Sequence, residues 1–440
     1  MKKRLFLGVL LVLLLVVAMV AAACGSGTTT TTAAPATTTT AAPSTDTTSA
    51  PSSDTTAATT ATTVAATKEA TLTIGAISSV TGDMATAFKA MYDSVKPTED
   101  LLNENGGVTV GDTHYTIKIA MYDDQSTTAG GLTAVNKLIG DGVKYLVPPM
   151  FMPVNLAIAQ LCEDNKIMRV KSFGAGTMEV NAKNPLMFFA CSGVANIKPF
   201  FDYALGKYPN VKTVAVITPD DPGATTYQEM IKAEYAARGI KIVYWEVYPQ
   251  PTYEFSSVLN KALATKPDAI DCIFGIPPCT SAIINQSRDL GFTGPIFGPC
   301  TLGDANVVNA MISKPAYAHD ILSYVPDVKS DQMTDPVKAL GKKIPAADFQ
   351  LDSLHLYDAC SAIIAAIQAA QSIDVEKVAA AINDGTCKGF TGSYGPAVWG
   401  SYQSVYGNNH VAEHAPMITT YTPQGLQFQW LSWDGTAHDK

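Results

Sequence analysis

Apolar runs alternate with helix-period stretches along residues 69–440. The runs are rich in Val, Ile and aromatic residues, which favours β-strands. Strands are expected at 72–77, 115–123, 145–149, 167–173, 213–219, 242–248, 269–276 and 295–300. Because these runs are too continuously apolar for a sheet with one solvated face, they predict parallel strands covered on both faces.

The segments between these strands repeat apolar residues every three or four positions, which indicates amphipathic helices. Helices are expected at 84–102, with a kink at Pro97, and at 129–138, 154–164, 226–238, 255–264 and 280–290. Repeated strand–helix–strand units connect through right-handed crossovers. The series 72–173 and 213–300 therefore predict two doubly wound α/β lobes.

The chain begins with the pattern of a secretory signal, in which basic residues 2–4 precede an apolar run over 5–20 and three alanines. Cys24 follows directly and resembles the cysteine of a bacterial lipobox, although Ala21 stands where leucine is usual. The resemblance implies a signal peptide over 1–23 and lipidation of Cys24. The alternatives are a plain signal peptide with an incidental cysteine and a transmembrane anchor, for which the run is only just long enough.

Residues 24–67 begin with that cysteine and continue as a linker of almost only Thr, Ala, Ser, Pro and Gly. The linker has no large apolar side chains to bury, so it is expected to be disordered. A flexible chain of this length reaches roughly 35 Å on average. Its dense Thr, Ser and Pro content is also typical of O-glycosylated stalks. The sequence therefore predicts a tether that holds a folded body away from a membrane.

Composition places the body among globular proteins, since the chain is 47% hydrophobic and 16% charged. A body of about 370 residues is longer than a single hydrophobic core usually supports, which favours two lobes. The net charge of −9 argues against a nucleic-acid partner.

Seven short motifs occur in a characteristic order: SSVTGDM (78–84), NENGGV (103–108), MYDDQST (121–127), VYPQPTYEFSSVL (247–259), INQSRDLGFTGPIFG (284–298), LHLYDACSAI (354–363) and KGFTGSYGPAVW (388–399). Together they resemble the branched-chain amino-acid-binding family of type I periplasmic binding proteins, the substrate-binding lipoproteins of ABC importers. The resemblance implies two α/β lobes joined by a multi-strand hinge. Lobe one is expected to comprise 69–192 and 321–394, and lobe two 193–320 and 395–440, because the family-like late helix at 354–370 needs the first sheet to cover.

Ligand in such a fold lies between the lobes, outside the carboxyl ends of the strands. The candidate ligand-binding residues at these ends are Ser79, Phe151, Met152, Phe173, Gly174, Ala175, Gly176, Asp221, Gly223, Cys279 and Thr301.

Several of these positions depart from the family pattern. Relatives use hydroxyl groups for the ligand carboxylate and an acid for its ammonium, but the aligned residues here are Met152, Gly176, Gly223 and Cys279. Backbone N–H groups of 174–176 can still hold an anion. The resemblance therefore leaves two ligands open, a branched-chain amino-acid-like solute and, preferred, a small carboxylate whose apolar body contacts Phe151, Met152 and Phe173.

Other groups of polar residues are weaker candidates for a functional site. His410 and His414 have the i,i+4 spacing of a metal pair but lack a third ligand, so surface or loop histidines are expected and no metal or cofactor is predicted. The acid pairs at 123–124 and 220–221 are expected in turns and helix caps. For Cys279 and Cys300, a disulfide, a free thiol near ligand and separate burial all remain open.

No nucleophile–base motif is present, so an enzyme is not expected. The sequence predicts an extracytoplasmic, lipid-anchored receptor that delivers a small solute to an ABC permease and ATPase complex. The alternative is a ligand-sensing receptor for a signalling partner.

Overall fold

The computed structural model describes residues 68–438, apart from Ala175, Asp221 and 299–304. Two sheets organise these residues. The first has six strands in the order β2-β3-β1-β4-β5-β6, with the bounds β1 (Lys68–Ser78), β2 (Val108–Val110), β3 (Thr113–Asp123), β4 (Tyr145–Val147), β5 (Met168–Gly174) and β6 (Met187–Ser192). All its neighbouring strands are parallel except β2 and β3.

The second sheet has seven strands in the order β16-β15-β11-β10-β9-β7-β8. Its strands are β7 (Thr213–Pro219), β8 (Lys241–Tyr248), β9 (Ala269–Asp271), β10 (Ile296–Phe297), β11 (Ile321–Ser323), β15 (Met417–Thr422) and β16 (Gly425–Trp430). β15 joins β11 in the antiparallel direction, so the end of the chain completes this sheet. A third, antiparallel sheet contains β12 (Gly389–Gly392), β13 (Gly395–Trp399) and β14 (Ala412–His414).

The helices lie mostly between consecutive strands. They are α1 (Ala85–Asp93), α2 (Val95–Glu104), α3 (Thr128–Gly140), α4 (Met152–Asp164), α5 (Val194–Lys207), α6 (Pro222–Ala237), α7 (Ser256–Ala264), α8 (Pro277–Asp289), α9 (Ala305–Ala310), α10 (Asp335–Lys343), α11 (Asp352–Ala370), α12 (Val375–Asn383) and α13 (Gln403–Tyr406). A short 3₁₀ turn occurs at Pro315–Tyr317. Strands separated by helices in this way form the parallel-rich, doubly wound arrangement that the sequence predicts.

The late helix α11 covers the first sheet, since it packs against β5 and α1. Its side chains join one hydrophobic core with residues of β1, β3 and β5. A second core forms around β7, α5 and α6. Early and late parts of the chain therefore share a core.

Several predicted elements have different ends, and two of them have a clear physical cause. The first helix breaks at Ser94 rather than kinking at Pro97, because Pro97 lies in the first turn of α2, where its missing N–H removes no helical hydrogen bond. The strand expected over 269–276 ends at Asp271, and Phe274 then adopts a left-handed backbone with φ of 75°.

Among the described residues, no single helix is both long and apolar enough to cross a membrane. Within that part of the chain, one bent pair, α11 and α12, satisfies those requirements by length and composition together. Most of α11 is buried in the first core.

Candidate functional site

Met152 and Gly176 lie against each other at the carboxyl edge of the first sheet. A Cβ atom on Gly176 would stand 2.6 Å from the Met152 methyl carbon. The methionine side chain therefore occupies the space that a larger residue at 176 would need. Two predicted site residues are brought together here, and the surface they form is apolar.

Glu179 is the acidic side chain beside this pair, with Oε2 3.4 Å from the same Cβ position. Its other oxygen, Oε1, accepts hydrogen bonds from Lys171 Nζ at 2.6 Å and Asn155 Nδ2 at 2.6 Å. Both members of the Lys171–Glu179 ion pair are almost fully buried. Lys171 thus compensates the charge of Glu179 through Oε1, whereas Oε2 has no hydrogen-bond partner among the described residues.

The hydroxyl group of Ser79 is used in a hydrogen bond within the protein. It donates to Asp124 Oδ1 at 2.7 Å, and both residues are buried. Asp123 accepts hydrogen bonds from the backbone N–H groups of Val80, at 3.0 Å, and Gln125, at 2.8 Å. These contacts confirm the turn role predicted for the acid pair at 123–124.

Phe173 approaches elements of both sheets. A Cβ atom on Gly193 would stand 2.8 Å from Phe173 Cζ and only 1.6 Å from the hydroxyl of Tyr227. The Tyr227 ring, on α6, packs edge-on against Phe274, with centroids 4.0 Å apart. Phe173 at the end of β5 and Tyr227 after β7 therefore meet across Gly193, where only glycine fits.

Burial determines the protonation state of the Tyr227 hydroxyl at this contact. Tyr227 is fully buried, and desolvation raises its pKa well above the usual range, so the hydroxyl stays neutral. Among the described residues, none forms a hydrogen bond with Tyr227 Oη. A buried hydroxyl without a partner costs roughly 1–3 kcal/mol.

The carboxyl ends of β8 and β9 carry a second polar group. A Cβ atom on Gly275 would stand 2.6 Å from Thr280 Oγ1 and 2.8 Å from Tyr248 Oη. Cys279, a predicted site residue, precedes Thr280 in the first turn of α8. It is a buried free thiol, and desolvation raises its pKa.

Some of the remaining predicted site residues are described by the structure, and others lie outside the described residues. Phe151 precedes α4 and is half-buried, whereas Gly174 packs on Phe189, whose ring would stand 2.4 Å from an added Cβ atom. Gly223 lies at the start of α6 rather than in the preceding loop. The predictions for Cys24, Ala175, Asp221, Cys300 and Thr301 lie outside the described residues.

Neither His410 nor His414 lies at the surface; His410 does lie in a loop, as expected, whereas His414 ends strand β14. Both are buried, because His410 stacks on Phe188 and His414 on Tyr394. Burial lowers the pKa of each to about 4. Within the described ranges, no group of three or more His, Cys, Asp or Glu side chains could hold a metal ion.

Sequence reasoning missed Tyr227, Lys171 and Glu179. Tyr227 shares an i,i+4 stripe with Ile231 and Tyr235, which is typical of any core-facing helix side. Lys171 stands in an apolar strand, and a charge in a buried strand is the signal that could have directed attention to a buried partner.

Comparisons with known proteins agree with this architecture. The family model described as periplasmic binding protein matches residues 71–427. The Leu/Ile/Val-binding protein BraC3 of Rhizobium johnstonii is 25% identical over 320 residues, which cover 72% of this chain and 84% of that protein. The leucine-, isoleucine-, valine-, threonine- and alanine-binding protein of Pseudomonas aeruginosa is 22% identical over 330 residues, covering 74% and 85%.

Solved structures show the same fold. The leucine-binding protein LivK of Thermotoga maritima has a TM-score of 0.65 at 20% identity, with 83% of this chain and 100% of that chain covered. A solute-binding protein of R. palustris in complex with 4-hydroxybenzoate has a TM-score of 0.62 at 20% identity, with 83% and 94% covered. The matched proteins are solute-binding components of ABC transporters rather than enzymes, and their class is extracytoplasmic. The chain therefore belongs to the periplasmic binding protein family, in the branch that contains the branched-chain amino-acid-binding proteins.

Proposed function

We propose that this protein captures a small organic acid with an apolar body between two lobes and delivers it to an ABC permease. The observation that carries the choice of ligand is the neutralisation of Glu179 by Lys171. A bound amino acid needs a carboxylate for its ammonium group, since an unpaired buried charge is costly. Glu179 already has a cation at 2.6 Å.

The other aligned clamp positions support the same ligand. Cys279 is a buried neutral thiol where relatives use an acid, and the Met152 methyl group fills the space beside Gly176. Phe173, Phe151 and Met152 offer apolar surface to the body of the ligand. Backbone N–H groups near Gly174 and Gly176 are the proposed partners of its carboxylate.

Calorimetry on ligand-free protein tests this proposal. The protein is unfolded, dialysed and refolded to remove bound solute, then titrated with the twenty standard amino acids and with a panel of aliphatic and aromatic carboxylates. Binding of a carboxylate at micromolar affinity or better, with no comparable amino acid, is expected. Leucine, isoleucine or valine bound at that affinity would contradict the proposal.

The division into lobes is part of the proposal. Residues 69–192 with 321–394 would move against 193–320 with 395–440 as the cleft closes. The hydrophobic core that joins β1 and β5 with α11 supports the pairing of 69–192 with 321–394. Structures with and without ligand should superpose within each pair of segments and differ between them. A rigid N-terminal half moving against a rigid C-terminal half would contradict it.

Cys24 is the proposed lipid anchor, and 25–67 the proposed tether. Cys24→Ser should move the protein from membranes to the soluble fraction without changing ligand affinity. Deletion of 25–66 should leave the melting temperature of the body unchanged, because that segment has no large apolar side chains to pack. A variant lacking Cys24 that stays on membranes would refute the anchor.

A further inference from the structure

Two buried polar atoms near Phe173 have no hydrogen-bond partner among the described residues. One is Tyr227 Oη, and the other is Asn196 Oδ1 in the first turn of α5. Tyr227 is fully buried, and Asn196 is 3% exposed. Unpartnered polar groups at this depth are rare in folded proteins, and each calls for an explanation.

Both atoms belong to residues that border the Phe173 ring. Tyr227 Oη and Phe173 Cζ flank Gly193, at 1.6 Å and 2.8 Å from the position of an added Cβ atom. Asn196 and Phe173 line the same cavity of about 10 Å³, together with Tyr324 and Tyr394. That volume accepts about one water-sized group.

The backbone conformation of a residue that packs on Tyr227 also suggests a ligand-binding role for this region. Phe274, whose ring packs on Tyr227, has a φ of 75°. A bulky residue in the left-handed region is strained, and such strain concentrates at ligand-binding and active sites. Phe274 therefore packs its ring on Tyr227 from a strained backbone position.

We propose that Tyr227 and Asn196 determine specificity by recognising a hydroxyl group on the end of the bound acid remote from its carboxylate. A hydroxyl both donates and accepts, so it can donate to the Asn196 carbonyl oxygen and accept from the Tyr227 hydroxyl. Phe173 borders both groups and supplies flat apolar surface, which suits a hydroxylated aromatic ring. This inference rests on the proposed function and narrows the acid to a hydroxylated one.

Two matched pairs of acids test it, benzoate with 4-hydroxybenzoate and phenylacetate with 4-hydroxyphenylacetate. The unmodified protein should prefer the hydroxylated member of at least one pair by about tenfold, the worth of a hydrogen bond to a buried group. Tyr227→Phe and Asn196→Leu should each reduce that preference to near unity while the unhydroxylated acid still binds.

Tyr235→Phe is the matched control. Tyr235 lies on the same helix and is also buried, but its hydroxyl donates to Asp271 at 2.7 Å. Tyr235→Phe should lower the melting temperature and leave the preference unchanged. Tyr227→Phe should not lower the melting temperature of the unliganded protein, because its hydroxyl gives up no hydrogen bond.

The outcomes separate the two proposals. Equal affinity for both members of each pair, or a preference that survives Tyr227→Phe, would overturn this inference and leave the proposed function standing. A fall in melting temperature for Tyr227→Phe as large as for Tyr235→Phe would also overturn it. Failure of every acid in the wider panel to bind would overturn the proposed function and this inference with it.

Discussion

Lys171 and Glu179 form a salt bridge of 2.6 Å between Nζ and Oε1 that is almost completely shielded from solvent. Asn155 donates a second hydrogen bond to the same oxygen at 2.6 Å. Taking two charges out of water is costly. The mutual attraction of the two charges offsets this cost only while both partners are present.

Removal of one partner should therefore destabilise the fold. Lys171→Met leaves Glu179 buried without its cation, and we expect the free energy of unfolding to fall by about 3–5 kcal/mol. Urea denaturation measures this change. The double variant Lys171→Met with Glu179→Leu should recover most of the loss, since neither partner then leaves an unpaired charge behind.

The exposed pair Lys89–Asp93, at 2.7 Å, provides the control. Lys89→Met should change stability far less than Lys171→Met, because water replaces a lost partner at the surface. Equal effects of the two lysine substitutions would show that the Lys171–Glu179 pair is not a closed charge pair.

The fold was largely predictable from the sequence, whereas the site was predictable only in part. Strand β7 is an almost completely buried apolar run, so the pattern alone locates it, although the equally buried run of β6 was not predicted. The strands β14 and β15 were not predicted, because each is defined by its pairing with a distant strand and neither is marked by a strong apolar run. Tyr227 could not be identified for the same reason: its role depends on Gly193, 34 positions earlier in the chain.

His414 should make stability depend on pH. Its folded pKa is lowered by burial to about 4, below the ordinary value of 6.5. The unfolded chain therefore binds a proton first as the pH falls, and folding stability decreases between about pH 6.5 and 4, by about 3 kcal/mol for a shift of this size.

The substitution His414→Asn should remove this contribution, so the variant should lose less stability than the parent over that range. Its amide can still donate to the carbonyl oxygen of Ala415, as Nδ1 does at 2.7 Å. Urea denaturation at several pH values measures the difference, and the partly exposed His319 offers a control in His319→Asn. Parallel pH profiles for the parent and His414→Asn would contradict the argument.

Asp358 should act in the opposite direction. It is buried on α11, where desolvation raises its pKa from 3.8 to about 6, although Ser393 donates to it through N–H and Oγ. Between about pH 4 and 6 the folded state holds the proton more tightly than the unfolded chain. Stability from this group therefore decreases as the pH rises through that range.

Asp358→Asn should become more stable relative to the parent as the pH rises from 4 to 6, because asparagine has no charge to bury. Asp268 offers a comparison of opposite sign, since hydrogen bonds from Lys212 N–H and Thr213 lower its pKa. Asp268→Asn should become less stable relative to the parent as the pH rises. The same trend in both variants would show that burial does not control the titration of Asp358.

Gly193 and Tyr227 should be energetically coupled. In Gly193→Ala the new methyl group would stand 1.6 Å from Tyr227 Oη, far inside contact distance, so α5 or the tyrosine must move. Overpacking of this kind costs about 1–3 kcal/mol. In Tyr227→Phe the hydroxyl is gone and the nearest remaining tyrosine atom, Cζ, stands at 2.8 Å, so much of the clash is relieved.

A double-mutant cycle measures this coupling. Gly193→Ala in the Tyr227→Phe background should cost clearly less than in the parent, which gives a favourable interaction energy between the two substitutions. Gly206→Ala is the control, because it lies on α5, which Gly193 directly precedes, and an added Cβ atom there meets nothing within 4 Å. That change should stabilise the helix slightly in both backgrounds, since alanine loses less conformational freedom than glycine on folding. Additive effects at 193 and 227 would mean that α5 moves freely away from Tyr227, and the tyrosine hydroxyl would then not be held at a fixed position beside Phe173.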